Sequence, residues 1–151
     1  MLAMHSGGKL KAGEVRGGKE GRVRGDLMKW VSTQEAGPGL KSFMQVVDKF
    51  VMAMTKEVSE LRRNERLMMR TDAMATVYPG DGTHYVRHID NNSANGRVIT
   101  TILYLNPIWE ASDGGQLKLF LKRGEVMIEP VFNRFCVFWS DNRCPHEVSP
   151  A

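Results

Sequence analysis

The sequence predicts a mainly β fold with one supporting helix, its strands arranged as a jelly-roll-like barrel. Between Leu40 and Leu61 apolar residues recur at three- and four-residue steps, the period of a helix with one buried face. From Thr71 onward that period gives way to short β-like runs separated by Gly, Asn, Asp and Pro, the pattern of an all-β region. His88 and Asp90 stand two apart on one such run and His146 follows another, so polar groups of metal-ligand type recur on what would be an inner wall.

Met1 to Gly25 is rich in Gly, Lys and Arg without a sustained period, and is expected to be irregular apart from a short turn of helix at its start. Asp26 to Thr33 alternates Leu27, Trp30 and Val31 with polar residues, which predicts a short strand. Gly37-Pro38-Gly39 then opens the helix, whose stripe is Leu40, Phe43, Val47, Phe50, Val51, Met54, Val58 and Leu61. That stripe marks a packing face, so the helix is expected to support a barrel wall, with Lys41, Lys49, Lys56, Arg62 and Arg63 on a solvated side. Strands are predicted over Ala73–Tyr78, Tyr85–Asp90, Arg97–Asn106, Gly115–Leu121, Val126–Glu129 and Arg134–Ser140, with a short one after Pro145. Pro79-Gly80-Asp81-Gly82 and Asn91 to Gly96 are turns by composition. Together the runs describe most of a double-stranded β-helix. The expected layout is one domain in three parts: a Gly- and Lys-rich segment (1–36), the helix (37–70) and the β core (71–151).

A chain of 151 residues with 42% hydrophobic and 25% charged residues is ordinary for one soluble domain. No apolar run approaches the roughly 20 residues of a membrane span, and Met1 to Lys11 lacks the apolar core of a signal peptide, so no membrane partner and an address in the cytoplasm or nucleus are expected. The formal charge of +4 comes partly from Lys9, Lys11, Arg16, Lys19, Arg22 and Arg24. No aromatic residues interleave with them as base stacking requires, so nucleic acid is not an expected partner. Two cysteines, Cys136 and Cys144, make no disulfide framework. Cys136 is expected to be a buried thiol and Cys144, near His146, the more exposed of the pair; neither has a histidine placed to activate it.

Two neutral imidazoles and one carboxylate on one side of a metal, with other positions open, form the facial triad of non-haem Fe(II) oxygenases. His88, Asp90 and His146 have the residue types for it. The spacing alone is common by chance; the strand-like runs around and between the ligands are what raise its weight.

Around these ligands the chain resembles a known family. Tyr78-Pro79-Gly80-Asp81-Gly82-Thr83-His84-Tyr85-Val86-Arg87-His88-Ile89-Asp90-Asn91, then Tyr104-Leu105-Asn106, Gly114-Gly115, and Phe138-Trp139-Ser140-Asp141 leading to Pro145-His146-Glu147-Val148, are similar to the hypoxia-inducible-factor prolyl hydroxylases of the Egl-nine type. These are dioxygenases dependent on 2-oxoglutarate and iron. Met4-His5-Ser6-Gly7-Gly8-Lys9 and Arg24-Gly25-Asp26 with Trp30 extend the likeness towards the amino terminus.

The resemblance implies an enzyme that hydroxylates proline in a protein or peptide substrate in oxygen sensing. It would act as a monomer with Fe(II), with 2-oxoglutarate and O2 as co-substrates and ascorbate as reductant. His88, Asp90 and His146 would hold the metal. Tyr104 would meet the far carboxylate of 2-oxoglutarate and Tyr78 would reach it near the metal, while Met74, Leu117 and Val148 would form apolar pocket walls. Arg97 and Tyr85 match positions that contact the substrate at the mouth; Arg24, Asp26 and Trp30 match a mobile substrate loop.

One departure stands out. The family carries an arginine nine residues after the distal histidine, on the last barrel strand, pairing with the far carboxylate. Neither that arginine nor that strand is in the sequence, so a piece truncated at both ends is expected. Lys118 is a poor substitute, because it stands between Leu117 and Leu119 and points outward if they point inward. Two alternatives follow: a prolyl hydroxylase of a ribosomal or translation protein, and a non-catalytic barrel that binds without turnover.

Overall fold

A computed structural model describes residues 9–13, 23–62, 69–91 and 95–151. The helical turn expected at the start, Met4 to Gly8, Arg16, Lys19, Arg22, Arg63 and part of the turn at 91–96 lie outside them. The chain forms two compact units, Lys29–Ala75 and the pair of segments Met1–Met28 and Thr76–Ala151.

In the Lys29–Ala75 unit, helix α1 runs Pro38–Glu57 and α2 runs Ser59–Arg62. Proline opens α1 with its φ already set and with no N–H to satisfy, so the start holds without a side-chain cap. The helix breaks where Val58 turns extended (φ −98°, ψ 110°). Its N–H still donates to the Met54 carbonyl, and its own carbonyl takes the N–H groups of Leu61 and Arg62 at 3.0 Å. Met44 is the buried residue of α1, and Leu61 is buried on α2. The inward line runs Leu40, Phe43, Met44, Val47, Val51, Met54, Val58 and Leu61, the expected stripe with Met44 added and with Phe50, 42% exposed, left on its margin. Arg70 ties the chain after α2 to Asp48 on α1 at 3.0 Å and to Thr33 at 2.9 Å.

The nine strands among the described residues are β1 (Lys11–Ala12), β2 (Leu27–Val31), β3 (Ala73–Val77), β4 (Tyr85–His88), β5 (Ile99–Leu103), β6 (Leu117–Leu121), β7 (Gly124–Ile128), β8 (Phe135–Trp139) and β9 (His146–Val148). β1 falls in a stretch expected to be irregular: two residues are too few to show a period, and the strand exists only through pairing with Leu27 and Met28. The first sheet runs β1-β2-β3, the second β4-β9-β6-β7 and the third β5-β8.

The last two sheets build the core of the Thr76–Ala151 part. β6 and β7 form an antiparallel hairpin with Leu117 opposite Ile128 and Leu121 opposite Gly124. β5 and β8 pair from Ile99↔Trp139 to Leu103↔Phe135. Leu117 and Leu119 from β6, Phe138 from β8 and Cys144 form the buried cluster, with Ile102, Ile128, Trp139 and Val148 packed against it. Lys118 lies on the opposite face, paired with Glu125 at 2.7 Å, as alternation with its buried neighbours requires. Gly114 (φ +65°) has to be glycine, since a Cβ there would stand 1.9 Å from the Pro150 carbonyl oxygen. That close approach lets Gly115 N–H donate to the same carbonyl at 3.0 Å.

Candidate metal centre

β4 and β9 are antiparallel, with Tyr85 opposite Val148 and His88 opposite His146. Three steps along β4 thus match two along β9, a bulge that re-aims the side chains beyond it. Strict alternation would send Tyr85 and His88 to opposite faces. Across the bulge they stack instead, ring centroids 3.6 Å apart and planes at 16°. The His88 ring in turn faces His146 at 4.3 Å, and Phe138 meets His146 edge-on at 4.8 Å.

Each imidazole has one nitrogen engaged with backbone: His88 Nδ1 lies 2.8 Å from the Val86 carbonyl and His146 Nδ1 lies 3.1 Å from that of Cys144. A carbonyl only accepts, so each Nδ1 carries the proton and each Nε2 keeps its lone pair for a metal. Asp90 sits between them, Oδ1 at 3.6 Å from His88 Nε2 and Oδ2 at 3.7 Å from His146 Nε2. β4 ends at His88, so Asp90 occupies a turn rather than the strand expected to carry it. Thr100 Oγ1 donates to its Oδ2 at 2.5 Å, and the Arg97 guanidinium donates to its backbone carbonyl at 3.3 Å.

Burial pushes the Asp90 carboxyl up, but His88 beside it, the hydrogen bond from Thr100 and the nearby His146 outweigh it and hold it below the usual carboxylate range. For His146 burial is the leading cause and lowers its pKa below the ordinary imidazole value, despite the attraction of Asp90. Both side chains are thereby kept in the protonation states a ligand needs. The three donor atoms lie within 4.8 Å of one another. Cis ligands about 2.1 Å from an octahedral ion stand about 3 Å apart, so His88, Asp90 and His146 could hold Fe(II) once the widest pair of donors closes by no more than about 1.8 Å.

Tyr78 and Tyr104 both have phenol pKa values raised by burial, so both are neutral donors. The Tyr78 hydroxyl feels the charges of Asp26 and Arg24 and the two neighbouring phenols of Tyr85 and Tyr104. Tyr104 is near Arg134 and Cys136, which with Gln116, Ile128, Glu129 and Phe135 line a hollow of about 700 Å3. None of the three metal-type ligands lines that hollow. Leu117 and Val148 stand opposite each other across β6 and β9, inside the apolar core. Trp30 on β2 and Met74 on β3 belong to the Lys29–Ala75 unit and are each 42% exposed.

Arg24 and Asp26 are placed as a buried pair rather than as open contacts. The guanidinium donates twice to the carboxylate, at 2.6 and 2.5 Å, and Asp26 is 1% exposed. Arg24 also lies over the Tyr85 ring at 4.7 Å, so the pair backs the Tyr85–His88 stack. Gly13 covers it: a Cβ there would meet Arg24 Nε at 2.4 Å and Asp26 Oδ1 at 2.6 Å. Cys144, expected to be the more exposed thiol, is 1% exposed, because its side chain fills the core while its carbonyl serves His146. Sequence reasoning missed Thr100, Ser140 and Phe138. The available signal was Thr100 itself, a polar residue on the same face of the strand as Ile102.

The family described as the 2OG-Fe(II) oxygenase superfamily matches residues 73–151. The human prolyl hydroxylase EGLN3 is 38% identical over 98% of this chain, which spans 64% of that relative's length. A prolyl hydroxylase from Trichoplax adhaerens, solved in complex with a hypoxia-inducible-factor oxygen degradation domain peptide, superposes with a TM-score of 0.83 at 38% identity, covering 99% of this chain and 68% of that one. A Pseudomonas putida prolyl-4-hydroxylase superposes with a TM-score of 0.72 at 30% identity, covering 99% and 75%. The architecture is the double-stranded β-helix of these proteins, with its sheets not closed among the described residues. With the ligand trio at the head of its two-sheet core, the chain belongs to the 2OG-Fe(II) oxygenase superfamily.

Proposed function

We propose that the protein is a 2-oxoglutarate- and Fe(II)-dependent dioxygenase that hydroxylates proline within a protein substrate, in the manner of the oxygen-sensing prolyl hydroxylases. The observation that carries this reading is the trio of His88, Asp90 and His146, with the Nε2 atoms 3.6 and 3.7 Å from the Asp90 carboxylate and each Nδ1 turned to a backbone carbonyl. The likeness to a prolyl hydroxylase solved with a hypoxia-inducible-factor peptide supports the substrate class. When bound, iron and 2-oxoglutarate supply the oxidation of a C–H bond by dioxygen.

The chain's own residues bind, orient and keep water out. Asp90 would cancel one of the two charges of the ion, and the imidazoles would hold it through neutral nitrogens. Tyr78 and Tyr104, kept as phenols, would donate hydrogen bonds to the carboxylates of the co-substrate. Leu117, Val148 and Phe138 give the apolar wall that dries the site. Tyr85, Arg97, Arg24, Asp26 and Trp30 serve the substrate side, the buried Arg24–Asp26 pair through Tyr85 rather than by direct contact. Ascorbate would keep a bound iron reduced, and the two free thiols, Cys136 and Cys144, support an address in the reducing cytoplasm or nucleus.

The test is mass spectrometry of proline-containing peptides incubated with the protein, Fe(II), 2-oxoglutarate and ascorbate. A gain of one oxygen on proline that disappears without 2-oxoglutarate is expected. Modification of asparagine, lysine or free small molecules with proline untouched would overturn the substrate class.

A further inference from the structure

Asp90 lies beyond the end of β4, so no ladder of backbone bonds orients its carboxylate. Orientation comes from another sheet. Thr100 is on β5, paired backbone to backbone with Phe138 on β8, and Ser140 follows at the end of β8 with 0% exposure. Thr100 Oγ1 donates to Asp90 Oδ2 at 2.5 Å and lies 2.8 Å from Ser140 Oγ. A hydroxyl has one proton and a carboxylate only accepts, so the Thr100 proton goes to Asp90 and Ser140 must donate to Thr100. The chain runs Ser140 to Thr100 to Asp90, each link polarising the next. Ser140 is itself anchored, its N–H donating to the Val98 carbonyl at 3.0 Å and its carbonyl accepting from Asn91 N–H at 2.8 Å.

From this geometry we propose that Thr100 is a positioning residue that keeps Asp90 a one-oxygen ligand. Its hydrogen bond occupies Oδ2 and leaves Oδ1 for the metal. A carboxylate freed from that bond can swing to chelate with both oxygens and fill one of the positions that a co-substrate and oxygen require. The proposal rests on the metal reading above, and sharpens it by saying what preserves the open positions.

The test uses Mn(II) alone as probe, with no co-substrate or turnover. Water bound to Mn(II) is counted by 17O broadening of its electron paramagnetic resonance spectrum and by water-proton relaxivity. Three one-atom protein ligands leave about three waters on a six-coordinate ion, so about three are expected in the unaltered protein. Thr100→Val should hold about one fewer, and Thr100→Ser, which restores the hydroxyl, should return to the unaltered count. An equal count in Thr100→Val and the unaltered protein overturns the inference. If Thr100→Val fails to give a cooperative melt, Ser140→Ala takes its place: weakening the Thr100 donor should give an intermediate count, and no change overturns the inference equally. Failure of the unaltered protein to bind Mn(II) would instead overturn the metal reading itself.

Discussion

His146 is the most enclosed of the metal-type ligands, and its side chain is 5% exposed. Replacing it with alanine removes one of three donors, and replacing Asp90 with asparagine removes the negative charge. Either change should weaken Mn(II) binding by more than about 100-fold, beyond the range typical of residues that merely support a ligand. Isothermal titration would read it. Cys144→Ser should leave the affinity within a few-fold, since only the Cys144 carbonyl serves His146. The pH dependence has a fixed sign. His146 and Asp90 both have folded pKa values below their ordinary ones, so the unfolded chain takes up protons first as the pH falls. Stability contributed by the neutral His146 should fade below about pH 6.5, and that from ionised Asp90 below about pH 4. Scanning calorimetry of the metal-free protein should show a melting temperature that falls from pH 7 to pH 4, with the first part of the fall reduced in His146→Asn.

At the scale of elements, the bulge in β4 and the pair behind it act together. The bulge brings Tyr85 and His88 to one face, and Arg24 with Asp26 holds the outer side of Tyr85. Breaking a buried ion pair by removing one partner leaves an uncompensated charge. Asp26→Ala is therefore expected to cost about 3–5 kcal/mol in urea denaturation. Helix α1 offers a sharper check on its phase. Met44→Ala opens a cavity and should cost about 2–5 kcal/mol, whereas Phe50→Ala, on a residue 42% exposed, should cost clearly less. Equal losses at the two positions would show that the inward line of the helix is drawn wrongly.

For the molecule as a whole, the candidate metal centre joins parts distant in sequence: β4, the turn after it, β5 and β9. An ion that binds only when these are assembled stabilises the fold. At a free concentration 100 times its dissociation constant the gain is about 2.7 kcal/mol. Mn(II) should accordingly raise the melting temperature of the unaltered protein by several degrees, and leave that of Asp90→Asn unmoved.

Much of this was legible in the residues. Periodicity located α1 and the β-rich region, since burial on one face of a helix or strand leaves a repeat of 3.6 or 2 in the sequence. His88, Asp90 and His146 were legible as residue types in a familiar order. Strand ends were less so: Tyr78, Asp90 and Asn106 were drawn into strands that stop before them, because side-chain alternation does not record where a partner strand runs out. The stripe of α1 was read with Phe50 in it and Met44 outside it, since Phe50 is as apolar as Met44 and only the packing of the Lys29–Ala75 unit decides which is covered. Tertiary structure alone decided three further matters. It paired Arg24 with Asp26, it put Tyr85 against His88 through a bulge, and it brought the Thr100 and Ser140 hydroxyls to Asp90. The first is local in sequence but depends on the enclosure that makes the pair necessary. The second depends on how β4 registers against β9, and the third joins residues far apart in sequence; both follow from register, which the order of amino acids specifies only through the folded sheet.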